Sequence, residues 1–140
     1  MIFEIHSYKG VGPLMFGMNP DQVRDALGAP FKSFKRSPKA PYPCDYFMDL
    51  GVFTYYTSDA SLEAVEFGAP SHPILGGVDL LSLSFNEARG LVGNWGGVWA
   101  IEADGLISNE RGVSFFAPNA KDSPELLCES VLVFDQNYWD

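Results

Sequence analysis

The chain reads as an α+β domain, a largely antiparallel sheet of six or more strands carrying two helices. Three observations predict it. Two short amphipathic stretches are each opened by a capping residue and closed by glycine, Asn19 to Gly28 and Ser84 to Gly93. β-branched and aromatic runs follow each of them, separated by Gly, Asn, Asp and Pro. The resulting order is helix, strand, strand, strand, met twice, with the second helix 65 positions after the first. With 140 residues and 46% apolar side chains the chain is expected to form one domain over 1–140, large enough to bury a core without disulfides or a structural metal. Gly51-Val52 against Gly112-Val113, and Leu62 to Phe67 against Ser130 to Asp135, recur at similar but unequal offsets. This is the pattern of a weak internal repeat with halves of about 10–70 and 76–140, and two unrelated α+β halves of the same order would also produce it.

Ile2, Phe3 and Ile5 alternate as in a short strand, and Gly10, Gly12 and Pro13 break the chain before Leu14, Met15 and Phe16. Asn19 caps the first helix, Pro20 suits its first position, and Asp21 complements its positive end. Val23, Ala26 and Leu27 share one face before Gly28 and Pro30 stop it. Phe31 to Pro43 holds Lys32, Lys35, Arg36, Lys39 and three further prolines, the composition of an exposed basic loop. Strands are predicted over Tyr46–Leu50, Val52–Thr57 and Leu62–Phe67, with a turn at Ser58 to Ala60. Gly68 to Gly77 reads as a loop, and Ser84 caps a second helix over Phe85–Val92 that Gly93 ends. Three more strands are predicted, Gly105–Ser108, Gly112–Phe116 and Ser130–Phe134, split by a turn at Asn109 to Arg111 and a loop from Ala117 to Glu129.

The formal charge is −9, from 9 basic and 18 acidic residues. Residues 1–39 carry six Lys or Arg against three acids, and residues 40–140 carry three against fifteen. Phosphate backbones bind proteins through Lys and Arg, so nucleic acid is not an expected partner. An acidic body attracts basic surfaces and accelerates encounter with them. No apolar run approaches the roughly 20 residues of a membrane helix and no cleavable leader pattern is present, so no membrane partner is expected and a cytoplasmic protein is. Cys44 and Cys128, the two cysteines, are expected as buried free thiols.

Chemistry is sparse. The sequence has no G-x-S-x-G elbow, phosphate-binding glycine loop, H-E-x-x-H or C-x-x-C. His6 and His72 have no recognisable partner nearby in sequence. The carboxylate pairs Asp45 and Asp49, Glu63 and Glu66, and Glu102 and Asp104 lack a calcium-loop or glycosidase context. They are expected on the solvated surface. No catalytic residue, metal or cofactor is therefore assigned, and the competing enzymatic reading is a small carboxylate- or metal-dependent hydrolase.

Adjacent strand residues face opposite ways, so one of Tyr55 and Tyr56 is expected at the surface if their strand is regular. Tyrosine beside carboxylate is interface composition, with aromatics supplying affinity and charge setting rate and partner. The first meander thus offers a candidate partner-binding face of Asp45, Asp49, Tyr55, Tyr56, Asp59, Glu63 and Glu66. Trp95 is expected to plug the core, and Trp139, near the chain end, to remain exposed.

The stretch from Gly10 to Pro30, GVGPLMFGMNPDQVRDALGAP, resembles an N-terminal signature of small bacterial proteins, G-x-G-x-[IL]-x-F-G-M-[ST]-x-x-x-V-x-x-x-[LF]-G-x-P, with Asn19 where Ser or Thr is usual. Locally it is a folding signature, since Phe16 can staple the helix start and Gly28 and Pro30 end it. The resemblance implies an immunity protein of the polymorphic-toxin, contact-dependent growth inhibition kind: non-enzymatic, binding a cognate toxin domain made by sibling cells, and varying its contact surface so that no site residue carries over. Many such toxins are basic nucleases, and an acidic inhibitor can take the place of nucleic acid. Charge and resemblance thus give one expectation, a cytoplasmic inhibitor of a basic toxin domain.

Overall fold

A computed structural model describes residues 2–139. The strands are β1 (Ile2–His6), β2 (Gly10–Val11), β3 (Leu14–Met15), β4 (Lys32–Phe34), β5 (Cys44–Phe47), β6 (Val52–Tyr56), β7 (Leu62–Phe67), β8 (His72–Leu75), β9 (Val78–Asp79), β10 (Ala100–Glu102), β11 (Gly105–Ser108), β12 (Val113–Phe116) and β13 (Ser130–Phe134). The helices are α1 (Pro20–Leu27) and α2 (Phe85–Trp95), with a single 3-10 turn at Leu80–Ser82. The α+β class, the two helices and the large antiparallel sheet follow the sequence reading. The strands divide into an eight-stranded sheet, β10-β11-β12-β13-β7-β6-β5-β4, antiparallel throughout, and a five-stranded sheet, β3-β2-β1-β8-β9, in which β1 and β8 run parallel.

Both helices begin where the sequence places them and for the same reason. The Asn19 side chain accepts from the Gln22 amide while Gln22 accepts from that of Asn19, and Ser84 and Glu87 repeat the exchange. The end of the second helix differs from expectation. α2 passes through Gly93 to Trp95 because Trp95, buried, stacks on Phe115 at 5.6 Å and anchors the last turn; Gly96 then stops it. Strands also occur in three segments where none is predicted. β4 lies inside the basic segment as an edge strand of the large sheet, fixed by Phe31 against Phe47 and Phe34 edge-on to Phe53. β8 occupies the Pro- and Gly-rich segment after β7, and β10 precedes β11 as the opposite edge. The strand predicted over Tyr46–Leu50 sits earlier, at β5, with Met48 to Gly51 forming the turn.

One face of the large sheet holds the core. Phe47, Val52, Phe67, Val131, Phe115 and Leu106 form a row across six strands, and Val65, Val133 and Val113 a second. Val23 and Leu27 of α1, Phe85 and Ala88 of α2, and Phe3, Val11 and Leu14 of the small sheet close over these rows. Each large side chain so buried contributes about 1.5–3 kcal/mol.

Two four-stranded meanders, each preceded by a helix, meet antiparallel at β7 and β13. Equivalent strands paired in this way are exchanged by an approximate two-fold axis normal to the sheet, and hydrogen bonds repeat across it. The Leu62 amide donates to Met18 (2.8 Å) as that of Cys128 does to Leu83 (3.0 Å), and the Gly68 amide donates to Gly51 (2.8 Å) as that of Phe134 does to Gly112 (2.9 Å).

Candidate functional site

The other face of the large sheet carries the row Tyr46, Phe53, Glu66, Leu132, Ser114 and Ile107, every member half-buried. No helix covers it. Its cover is two chain segments, the one after β4 and the tail after β13. Arg36 lies over the Tyr55 ring at 3.9 Å and reaches the Tyr138 hydroxyl at 3.4 Å, while Tyr138 and Trp139 pack on Phe134.

The seven residues expected as one partner-binding face are divided. Asp45 is on the core side, 1% exposed, accepting from Arg24 Nε at 2.8 Å, from Arg24 Nη2 at 3.1 Å and from the Ser33 hydroxyl. Tyr56, 2% exposed, belongs to the main core, and the Thr54 hydroxyl donates to its oxygen. Tyr55 is on the outer face but 7% exposed, covered by Arg36 and donating to Glu66. β6 itself alternates, Tyr55 outward and Tyr56 to the core, and neither is at the surface because Arg36 covers the outward ring. The irregularity lies in the facing strand, where Tyr55 pairs with Ala64 and Tyr56 with Leu62, so Glu63 is the extra residue of a β-bulge. The bulge turns both Leu62 and Val65 to the core and leaves Glu63 half-buried outside. There burial raises its carboxyl above the usual range, Arg36 opposing and Asp135 adding to the shift. Asp49 and Asp59 are exposed in the turns at opposite ends of β6. The structure therefore brings together Tyr55, Glu63 and Glu66 and separates the rest.

Burial also governs how the tyrosines titrate. It pushes the Tyr56 phenol from 10 up to about 12, against the Thr54 hydrogen bond, and raises the Tyr55 phenol further, Glu66 adding to the effect. The unfolded chain loses these protons near pH 10 while the native fold keeps them, so their contribution is complete below pH 10 and is lost as pH rises towards 12. Phenolate absorbance at 295 nm is expected to rise for these two side chains only together with loss of β-sheet circular dichroism. Full tyrosine ionisation with the fold intact would contradict this.

The outer face of the second meander is more open. Glu102, Gly105, Phe116 and Ser130 form a row across β10, β11, β12 and β13, and Phe116 is 45% exposed. Trp139, 58% exposed, stands over this region between two clefts that share it and Ile107. One cleft, of about 220 Å³, is lined by Glu102, Asp104, Ser114 and Phe116; the other, of about 380 Å³, by Tyr8, Asn109, Phe134 and Gln136. The Tyr8 phenol is raised by burial and by the nearby carboxylates of Glu110 and Asp135. Trp95 is buried and Trp139 exposed, as expected; the carboxylates beside Trp139 were legible only as scattered acids.

Among the described residues no group of three or more His, Cys, Asp or Glu side chains is placed to hold a metal ion. His72 Nδ1 lies 2.7 Å from Asp79 beside the Ser71 and Ser82 hydroxyls, but those hydroxyls donate to the carbonyls of Gly68 and Asp79. The pair therefore ties β8 to β9 and has no serine aligned to it as a nucleophile. Cys44 and Cys128 are buried free thiols. No helix among the described residues is long and apolar enough to cross a membrane. No family model matches the chain, and no curated protein or solved structure matches it either.

Proposed function

We propose that the chain is an inhibitor of the immunity type, which binds and neutralises a basic toxin domain, a nuclease, through an acidic surface on the outer side of its large sheet. The observation that carries this reading is the imbalance of exposed charge. Among the described residues, ion pairs hold only the carboxylates of Asp21, Asp45 and Asp79, while Glu102, Asp104, Glu110 and Glu129 are exposed without a cation at salt-bridge distance. A basic active-site cleft that otherwise holds nucleic acid gains the same Coulomb energy from such a surface. The resemblance of Gly10 to Pro30 supports the same class, and Asp45, Tyr55 and Tyr56, being buried, leave the set of contact candidates.

Co-expression with the products of the neighbouring open reading frames, assayed for a toxin domain, tests the reading. Restored growth of cells carrying the toxin is expected, together with a purified complex whose association slows at least about tenfold between low and moderate salt. A toxin that stays active beside an excess of this protein, with no complex at either salt, overturns it.

A further inference from the structure

We infer that the paired clefts flanking Trp139 are the anchor of this surface, and that they receive arginine side chains from an extended basic segment of the partner. The inference rests on the inhibitor reading for the partner's identity; the chemistry of the clefts stands on its own geometry. Glu102 ends the row whose next side chain is Phe116, since Gly105 between them presents only backbone on β11. Adjacent strands lie about 4.8 Å apart, so the Glu102 carboxylate and the Phe116 ring stand on β-carbons roughly 10 Å from each other. Asp104 joins Glu102 at one end of that cleft, and Trp139 and Ile107 close its side. Across Trp139, the second cleft offers the hydroxyl of Tyr8 and the amides of Asn109 and Gln136, with Glu110 and Asp135 close enough to raise the Tyr8 phenol. Neither cleft is lined by a lysine or an arginine among the described residues.

An aromatic wall with carboxylates at its end is complementary to a guanidinium. The plane stacks on an indole or phenyl face, its edge donates in a fork to carboxylate, and its stem covers apolar surface. The same face accounts for the exposure of Trp139 and Phe116, two of the four exposed aromatic side chains among the described residues, the others being Phe31 and Phe34. Lys9 and Arg111, the cations next to the clefts in sequence, do not line them: Lys9 lines a separate depression with His6 and Met15, and the Arg111 guanidinium lies against Gly96 and Gly97 at the end of α2.

The test titrates the intact, isotope-labelled protein with the peptide acetyl-Gly-Arg-Gly-Arg-Gly-amide and with its citrulline counterpart, following the indole N–H of Trp139 by NMR. That resonance is the one absent from a Trp139→Phe variant. Saturable movement with the arginine peptide is expected, weakened about tenfold by Glu102→Gln with Asp104→Asn and by citrulline. Equal response to both peptides, a Trp139 resonance that stays still, or one that moves with protein concentration alone because a second copy covers the face, each overturns the inference. The toxin separates the two claims. A double variant that still protects cells as well as the original chain overturns the anchor and leaves the inhibitor reading intact; a wild-type chain that binds the arginine peptide but no toxin does the reverse.

Discussion

Replacing Gly51 or Gly112 by alanine is expected to lower the stability of the fold by roughly 2–5 kcal/mol in urea unfolding, the sum of a left-handed backbone and a backbone collision. Both glycines have φ of +69° and close the turn before β6 and β12 respectively. A Cβ at Gly51 would stand 2.4 Å from the Gly68 carbonyl oxygen, and one at Gly112 2.6 Å from that of Phe134. The approach is close because the same turns deliver their own carbonyls to the Gly68 and Phe134 amides. The two-fold relation makes the expectation sharper: the two losses should be similar, although the surrounding sequences share little beyond Gly-Val. Gly93→Ala is the control, because this glycine lies inside α2 with open space around its Cα, and alanine there should stabilise by up to about 1 kcal/mol. If Gly51→Ala and Gly112→Ala are as benign as Gly93→Ala, the close approach at the two turns is not what holds the meanders in register.

The recurrence of these turns marks what the chain makes legible and what it hides. Caps are local, so Asn19 and Ser84 could be read from their own neighbours, as could the hydrophobic runs of β6, β7, β12 and β13. Features set by distant partners could not. Gly93 reads as a helix stop, yet Trp95 finds Phe115 twenty residues on and carries the helix past it. Short edge strands such as β4 and β10 have little hydrophobic signal, because every residue in them is exposed. The bulge at Glu63 is visible only in pairing, and Tyr55, which alternation does turn outward, is covered by Arg36 from a segment nineteen residues away in the chain. A patch assembled from β10, β11, β12 and the last residues of the tail has no contiguous signature. It is built from residues that count, one at a time, as ordinary surface acids and aromatics.

Asp45 shows the cost of mistaking a structural carboxylate for a contact residue, and its removal is the second large effect expected. Asp45→Ala should destabilise the chain by about 3 kcal/mol, near the lower end of the range for breaking a buried ion pair, because the Arg24 side chain is 30% exposed and can regain some water. What remains after the substitution is a guanidinium over Phe31, 4.4 Å from its ring centre, and a Ser33 hydroxyl without its acceptor. Asp21 does not compensate: it is 3.6 Å from Arg24 but 92% exposed, a position worth at most about 1 kcal/mol. Removing both charges, as Arg24→Met with Asp45→Leu, should recover most of the loss, since no charge is then left buried alone. Urea unfolding of the single and double variants decides this, and a single variant as stable as the parent would return Asp45 to the surface set. The consequence for function is a difference in kind between acids. Asp45→Ala should reduce binding of a basic partner only by the fraction of chain that unfolds, an effect that disappears on cooling below the melting transition, whereas neutralising Glu102 and Asp104 should reduce it with the fold fully intact.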